Sequence, residues 1–280
     1  MISNIDLKLI KYIIEYINSD KKLFNLFNHH KQQYNINELF EALIIKLKTG
    51  IPYNNISNVK SNIKGGNLFY FHKKLIKLNF FQNFFDNYIC LYLNEISPNI
   101  TKFYIDSTLI ANKLGIDLTK FNVQLKKHKS SKISIIVDEF SIPINVKIDS
   151  SSVHDVNIVS DQIDDIVKKY PNLCTNNNLF IGDAGYDSSK LSAKIKSYKL
   201  GTLITYINKR NTKDPEKLLK IRPDLHTKLL LKSRYKVEHV NNTIKQNKNI
   251  NCRYDKQASS YNSFVLLALI RITFSKIGKL

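Results

Sequence analysis

Hydrophobic positions change their period partway along the chain. Up to about residue 96 they recur at helical spacing: Ile5, Leu7, Ile10, Ile13, Ile14 and Ile17 make one stripe, and Leu39, Leu43, Ile44 and Leu47 make another. The second stripe should stop at Gly50, and Ile51–Val59 should begin a further helix that carries Lys60 and Lys64 at its far end. Helix, turn and helix fit either a helix-turn-helix unit or an ordinary helical hairpin. The aromatic-rich stretch Phe69–Leu93 reads as core or interface, and Pro98 marks the expected boundary between a helical domain, 1–98, and a second domain, 99–280.

Past that boundary the period shortens. In Lys102–Ser107, Phe103 and Ile105 alternate with Lys102 and Tyr104, so the stretch reads as a strand whose C-terminal end carries Asp106. Lys132–Asp138 and Ile142–Ile148 read as two antiparallel strands joined near Glu139–Ser141. Asp155 should cap a helix that runs to Pro171, and Leu179–Asp183 is a fourth strand, which closes on a second aspartate flanked by small residues. A helix over Ser188–Lys199 with Asp187 as its cap, a fifth strand over Thr202–Ile207, and helices at 224–247 and 260–275 complete the pattern. Three strands, helix, strand, helix, strand and more helix is the order of an α/β, ribonuclease H-like domain, a mixed five-stranded sheet with flanking helices. In that fold the ends of the first and fourth strands are adjacent, which would make Asp106 and Asp183 neighbours.

A third acid, Glu238, lies in the helical stretch Arg234–Lys245. Taken singly, a strand-end aspartate is a turn or capping residue and a helical glutamate belongs to a solvated face. Two strand-end aspartates with a glutamate packed across them would instead make a carboxylate cluster suited to a hard cation such as Mg²⁺. Arg234 and Lys245, four before and seven after Glu238, share roughly its helix face and can hold phosphates beside it. His239, next to Glu238, should point elsewhere.

The 280 residues are 43% hydrophobic, enough to bury a full core, and carry a net charge of +20. That excess favours a polyanion, either nucleic acid or an anionic membrane surface, although Lys, Asn and Ile all have A- and T-rich codons that inflate it. The Lys113–Lys132 connection, Lys129 and Lys132 included, is one candidate phosphate-binding band. The five arginines, Arg210, Arg222, Arg234, Arg253 and Arg271, all fall in the last quarter and suit planar phosphate recognition. Cys90, Cys174 and Cys252 have no paired spacing, so neither a disulfide framework nor a zinc motif is indicated, and a reduced, intracellular protein is expected. The N-terminus reads as an amphipathic helix without a cleavage site, and Phe264–Phe274 is too short to span a bilayer and contains Arg271.

Several segments together resemble the DDE transposases of bacterial insertion sequences, in particular their small members. Tyr104–Thr108 with Asn112–Gly115 is similar to their first-aspartate motif, Ile142–Val156 to the segment that ends in His154–Asp155, and Ile181–Ser188 to their second-aspartate motif. Arg234, Glu238 and Lys245 keep the spacing of the third motif, while its tyrosine position holds Leu231, with Tyr235 a substitute. Glu38–Ser57 resembles the helical DNA-binding leader of the family. Asn208–Lys232 is too short for the β-rich insertion domain of larger members.

The resemblance implies Mg²⁺-dependent (or Mn²⁺-dependent) cleavage at element ends followed by strand transfer. Asp106 would bridge two divalent ions, with Asp183 and Glu238 each completing one. It further implies double-stranded DNA as partner, a homodimer or higher multimer on that DNA, no membrane association, and an intracellular location at DNA. A decayed or domesticated relative that only binds DNA is the alternative. A tyrosine recombinase fits poorly, with no arginine before Arg210, as does a paired-histidine relaxase, since His29 and His30 are adjacent.

Overall fold

In chain order the helices are α1 (Asn4–Ser19), α2 (Lys21–Phe27), α3 (Ile36–Thr49), α4 (Gly65–Lys77), α5 (Phe80–Leu91), α6 (Asp155–Lys169), α7 (Ser189–Ser197), α8 (Leu225–Lys232), α9 (Tyr235–Lys245), α10 (Lys248–Asn251) and α11 (Ala258–Ile277). The strands that build the sheet are β1 (Lys102–Asn112), β2 (Lys120–Asn122), β3 (His128–Asp138), β4 (Pro143–Ser150), β5 (Asn178–Ile181) and β6 (Gly201–Ile204). They come from a computed structural model that describes residues 2–27, 34–97, 99–122, 128–208 and 224–279. Pro98, Arg210, Arg222, His29, His30 and residues 123–127 of the lysine-rich connection lie outside the described residues.

The chain divides into two compact units, residues 1–85 with 244–280, and residues 86–243. Packing therefore does not follow the expected 98/99 division, because α11 buries its side chains among the N-terminal helices. Apart from a short exposed end it is apolar on every side, which requires neighbours all round. Tyr12 stacks on Phe274 at 5.8 Å. Asp6, the N3 residue of a capping box with Ser3 at the start of α1, also accepts from Arg271 Nε at 2.8 Å.

Gly50 ends α3 in a left-handed conformation, as the sequence predicts. The second helix expected over Ile51–Val59 is instead a 3₁₀ turn, Tyr53–Asn58, behind Pro52. Asn and Ser side chains there compete with the helical backbone for hydrogen bonds. The turn packs so closely on α4 that a Cβ at Gly65 would lie 2.1 Å from the Tyr53 carbonyl oxygen. Residues 39–59 therefore do not form a helix-turn-helix with two α-helices.

In the second unit the sheet runs β4-β3-β1-β5-β6, with β2 added on β3. β1 and β3 pair antiparallel, while β1, β5 and β6 are parallel. This is the ribonuclease H-like order that the sequence pattern implies, with the first and fourth of its five main strands adjacent. Phe103, Tyr104 and Ile105 are all buried, because β1 is central and covered on both faces. Phe103 stacks on its pair partner Phe180 at 5.1 Å.

Candidate active site

β1 continues to Asn112, so Asp106 is the fifth residue of an eleven-residue strand and not its end. What stops near Asp106 is the parallel pairing: Tyr104 opposite Ile181 is the last β1–β5 pair. Asp106 follows two residues later on β1 and Asp183 two residues later on the other chain segment, so both reach past the same ladder end. Asp183 accepts from Gly185 N–H at 2.7 Å at the start of a 3₁₀ turn, Ala184–Tyr186, and its charge is felt at Asp106.

Successive side chains of a strand face opposite sides, and β1 uses both. Tyr104 and Asp106 face α8 and α9. Ser233, in the break between these helices, is hydrogen-bonded through Oγ to Tyr104 Oη at 3.0 Å, and Lys236 Nζ donates to the Glu139 carbonyl at 2.6 Å while lying over the Tyr104 ring. The helix expected over 224–247 is broken there, and Ser233 gives its hydroxyl proton back to Leu230 O at 2.6 Å. On the docked α9, Asn241 Nδ2 donates to Asp106 Oδ2 at 2.8 Å. The Arg234 guanidinium lies 3.4 Å from Asp106 Oδ1 and 3.7 Å from Glu238 Oε1. Both acids therefore touch one nitrogen, and their oxygens lie within the sum of those two contacts.

Burial pushes the Asp106 carboxyl above its ordinary pKa, and nearby Asp183 adds to the rise, while Arg234 and the Asn241 hydrogen bond oppose it. Glu238 is open to solvent, with its side chain 54% exposed. Among the described residues no three His, Cys, Asp or Glu side chains are gathered closely enough to hold a metal ion as they stand. The cation that Asp106 and Glu238 share is Arg234.

Ser107 faces the other way, toward α6. It donates to Asp155 Oδ1 at 2.6 Å, and Lys132 Nζ reaches the same oxygen at 2.9 Å and the Val153 carbonyl at 2.8 Å. This corrects two sequence expectations. Lys132 is buried with its ammonium committed internally and offers nothing to DNA, and Asp155 is the first residue of α6 behind His154, tying the helix to β1 instead of capping it. Asp187 does not cap α7 either: Ser188 does, and Asp187 accepts from Asn208 N–H. Lys129 is exposed, over the Phe121 ring. Lys245 ends α9 on its last turn.

Of the C-terminal arginines, Arg253 is fully buried, donating to the carbonyls of Asp255 and Lys256, and Arg271 pairs with Asp6. Their expected role in phosphate recognition is therefore corrected to a structural one. Leu231, at the tyrosine position, is buried in α8, while Tyr235 is 63% exposed. Asn241 was not foreseen. Its spacing of three from Glu238 on a helix was the available signal.

Residues 99–272 match the family described as "Transposase DDE domain", and the chain belongs to that family. In fold it is similar to a piggyBac transposase, solved as a synaptic complex with hairpin DNA, at a TM-score of 0.50 and 10% identity over 96% of this chain and 72% of that one. A weaker similarity links it to a Mos1 transposase paired-end complex with the left transposon end, at a TM-score of 0.27 and 8% identity over 82% of this chain and 88% of that one. No curated protein sequence matches it. Among the described residues no helix is long and apolar enough to cross a membrane.

Proposed function

We propose that the protein is an active transposase that cuts the backbone of double-stranded DNA at element ends and joins the freed 3′ end to target DNA, with Asp106, Asp183 and Glu238 as its acids. The observation that carries this reading is the placement of Asp106 and Asp183 just past one ladder end, with Glu238 brought to Asp106 through Arg234.

The donor set fits a hard divalent cation, since all three groups are carboxylates and a positive group already sits between two of them. Asp106, Asp183 and Glu238 would hold Mg²⁺ or Mn²⁺, as one ion or a pair, which would activate the attacking oxygen and stabilise the leaving one. The residues themselves do the positioning. Asn241 fixes the rotamer of Asp106, Gly185 N–H fixes Asp183, and the docking of Lys236 and Ser233 on Tyr104 fixes the height of Glu238 above β1. Arg234, just ahead of the Glu238 helix, supplies positive charge for the scissile phosphate, and Lys245 and exposed Lys129 are further phosphate-binding residues in this reading.

Double-stranded DNA as partner is supported by the net charge of +20. Assembly of two or more chains on DNA, and action inside the cell where the DNA is, belong to the same reading. The test is Mg²⁺-dependent nicking of a duplex that carries the element's own ends, by the wild type and by Asp106→Asn, Asp183→Asn and Glu238→Gln. Loss in all three variants with end binding retained is expected. Equal nicking by all four proteins would remove these residues from the chemistry.

A further inference from the structure

We propose that Arg234 is the resident counter-ion of the Asp106–Glu238 pair and that a DNA phosphate draws it away, so that DNA and a divalent cation bind cooperatively. The inference rests on the assignment of these carboxylates as cation ligands and adds to it a role for the arginine.

Three observations carry it. The guanidinium stands between the two acids, in contact with both through a single nitrogen. Both contacts, at 3.4 and 3.7 Å, are longer than the roughly 2.7–2.9 Å of a well-made charge-assisted hydrogen bond, so it is held loosely. Its Nε–H is buried and has no acceptor. A buried donor without a partner is a standing penalty that an added acceptor removes, and an anionic oxygen at the mouth of the site provides one. Asp106 keeps a short bond of its own, from Asn241 at 2.8 Å, so departure of Arg234 does not leave that carboxylate loose.

The consequence is electrostatic. While Arg234 is in place it neutralises charge that a cation would otherwise use and occupies the space between the ligands. Once a phosphate has taken the guanidinium, both acids are free to turn on a metal. The coupling is reciprocal, so bound cation must tighten DNA by the same factor by which DNA tightens the cation.

Mn²⁺ binding, read from the electron paramagnetic resonance signal of the free ion, tests this without any turnover. The proteins are wild type, Arg234→Gln, Arg234→Lys and Asp106→Asn, each with and without a short duplex whose own Mn²⁺ uptake is subtracted. Without duplex, Arg234→Gln is expected to bind Mn²⁺ about tenfold more tightly than wild type, and Arg234→Lys, which keeps the charge, to stay close to wild type. Duplex should tighten Mn²⁺ binding about tenfold in wild type and much less in Arg234→Gln. Equal affinity of wild type and Arg234→Gln in the absence of duplex would overturn the proposal, as would equal enhancement by duplex in both. If Asp106→Asn binds Mn²⁺ as wild type does, the ion is held elsewhere and the reading of the site falls with it; if only Asp106→Asn loses binding, the site stands and the exchange alone fails.

Discussion

Asp106 and Asp183 each stand two residues beyond the Tyr104–Ile181 pair, at which the parallel β1–β5 ladder ends. Their proximity is therefore set by backbone register. Gly182 is the residue on which the second arm of that register depends, because a Cβ there would lie 2.8 Å from Tyr186 Cδ2. Gly182→Ala should lower stability by about 1–3 kcal/mol through overpacking and reduce nicking by displacing Asp183. Urea unfolding and the nicking assay check the two effects, and an unchanged unfolding midpoint would mean that Tyr186 yields freely.

Asn241 should set the pH at which Asp106 becomes a usable carboxylate. Burial raises the Asp106 pKa and the Asn241 hydrogen bond holds part of that rise back. In Asn241→Leu the pKa should rise further, so the acid limb of the nicking–pH profile should move to higher pH while the alkaline limb stays. A uniform drop in rate at every pH would show a general structural role instead.

The helical unit should be acid-sensitive through His72. Its Nδ1 accepts from Tyr53 Oη at 2.5 Å, and its Nε2 donates to Ser263 Oγ at 2.6 Å, since that hydroxyl gives its own proton to Ser260 O. Burial, with Lys46 adding to it, holds the imidazole down to about 3 from its ordinary 6.5. The unfolded chain therefore takes up the proton first, and stability that is full above pH 6.5 is lost as pH falls toward the folded value. Between pH 7 and pH 5 the loss should be about 2 kcal/mol greater in wild type than in His72→Gln. Asp255, whose carboxyl burial pushes up, acts in the opposite sense in both proteins, so the comparison isolates the imidazole.

Basic residues should separate into structural and DNA-facing groups. Arg253→Ala strands buried carbonyl acceptors and should cost about 3 kcal/mol or more, and Arg271→Ala, which leaves Asp6 with Lys48 and Ser3, about 1–3 kcal/mol. Neither should alter the salt dependence of DNA binding by the folded fraction. Lys129→Ala should leave stability unchanged within about 0.5 kcal/mol and lower the slope of log affinity against log salt by about one. Salt titrations of DNA affinity, paired with urea unfolding, make the distinction.

Sequence periodicity was enough for the sheet, because β1, β3, β4 and β5 are runs of alternating or fully buried apolar residues and a two-residue period has one reading. It also located Asp183, since an acid at a strand end with Gly182 before it and Ala184 and Gly185 after it leaves little choice. It placed the end of β1 wrongly. Residues 107–111 are stabilised by pairing with Ser130–Ser134 of β3, a long-range partnership that local pattern does not carry. Lys132, Asp155 and Arg253 were misread for a related reason: charge is visible in a sequence, but whether an ammonium or guanidinium meets water or a buried acceptor depends on which strand face it occupies. The helix break at Ser233 was hidden in part because the Tyr104 hydroxyl that Ser233 meets there comes from another part of the chain.

The discontinuity of the helical unit bears on how the chain is made. A ribosome delivers all of residues 86–243 before it releases α11, whose apolar faces the N-terminal helices need. The sheet-bearing unit can therefore close first, while the earlier-synthesised helices wait with exposed apolar surface for their last partner. A transcript cut short anywhere before codon 258 would yield a polypeptide whose N-terminal helices pack only on one another and lack the last helix that covers them. Such a product would be open to proteolysis, so incomplete copies of the reading frame should leave no stable truncated protein to compete with the full-length one.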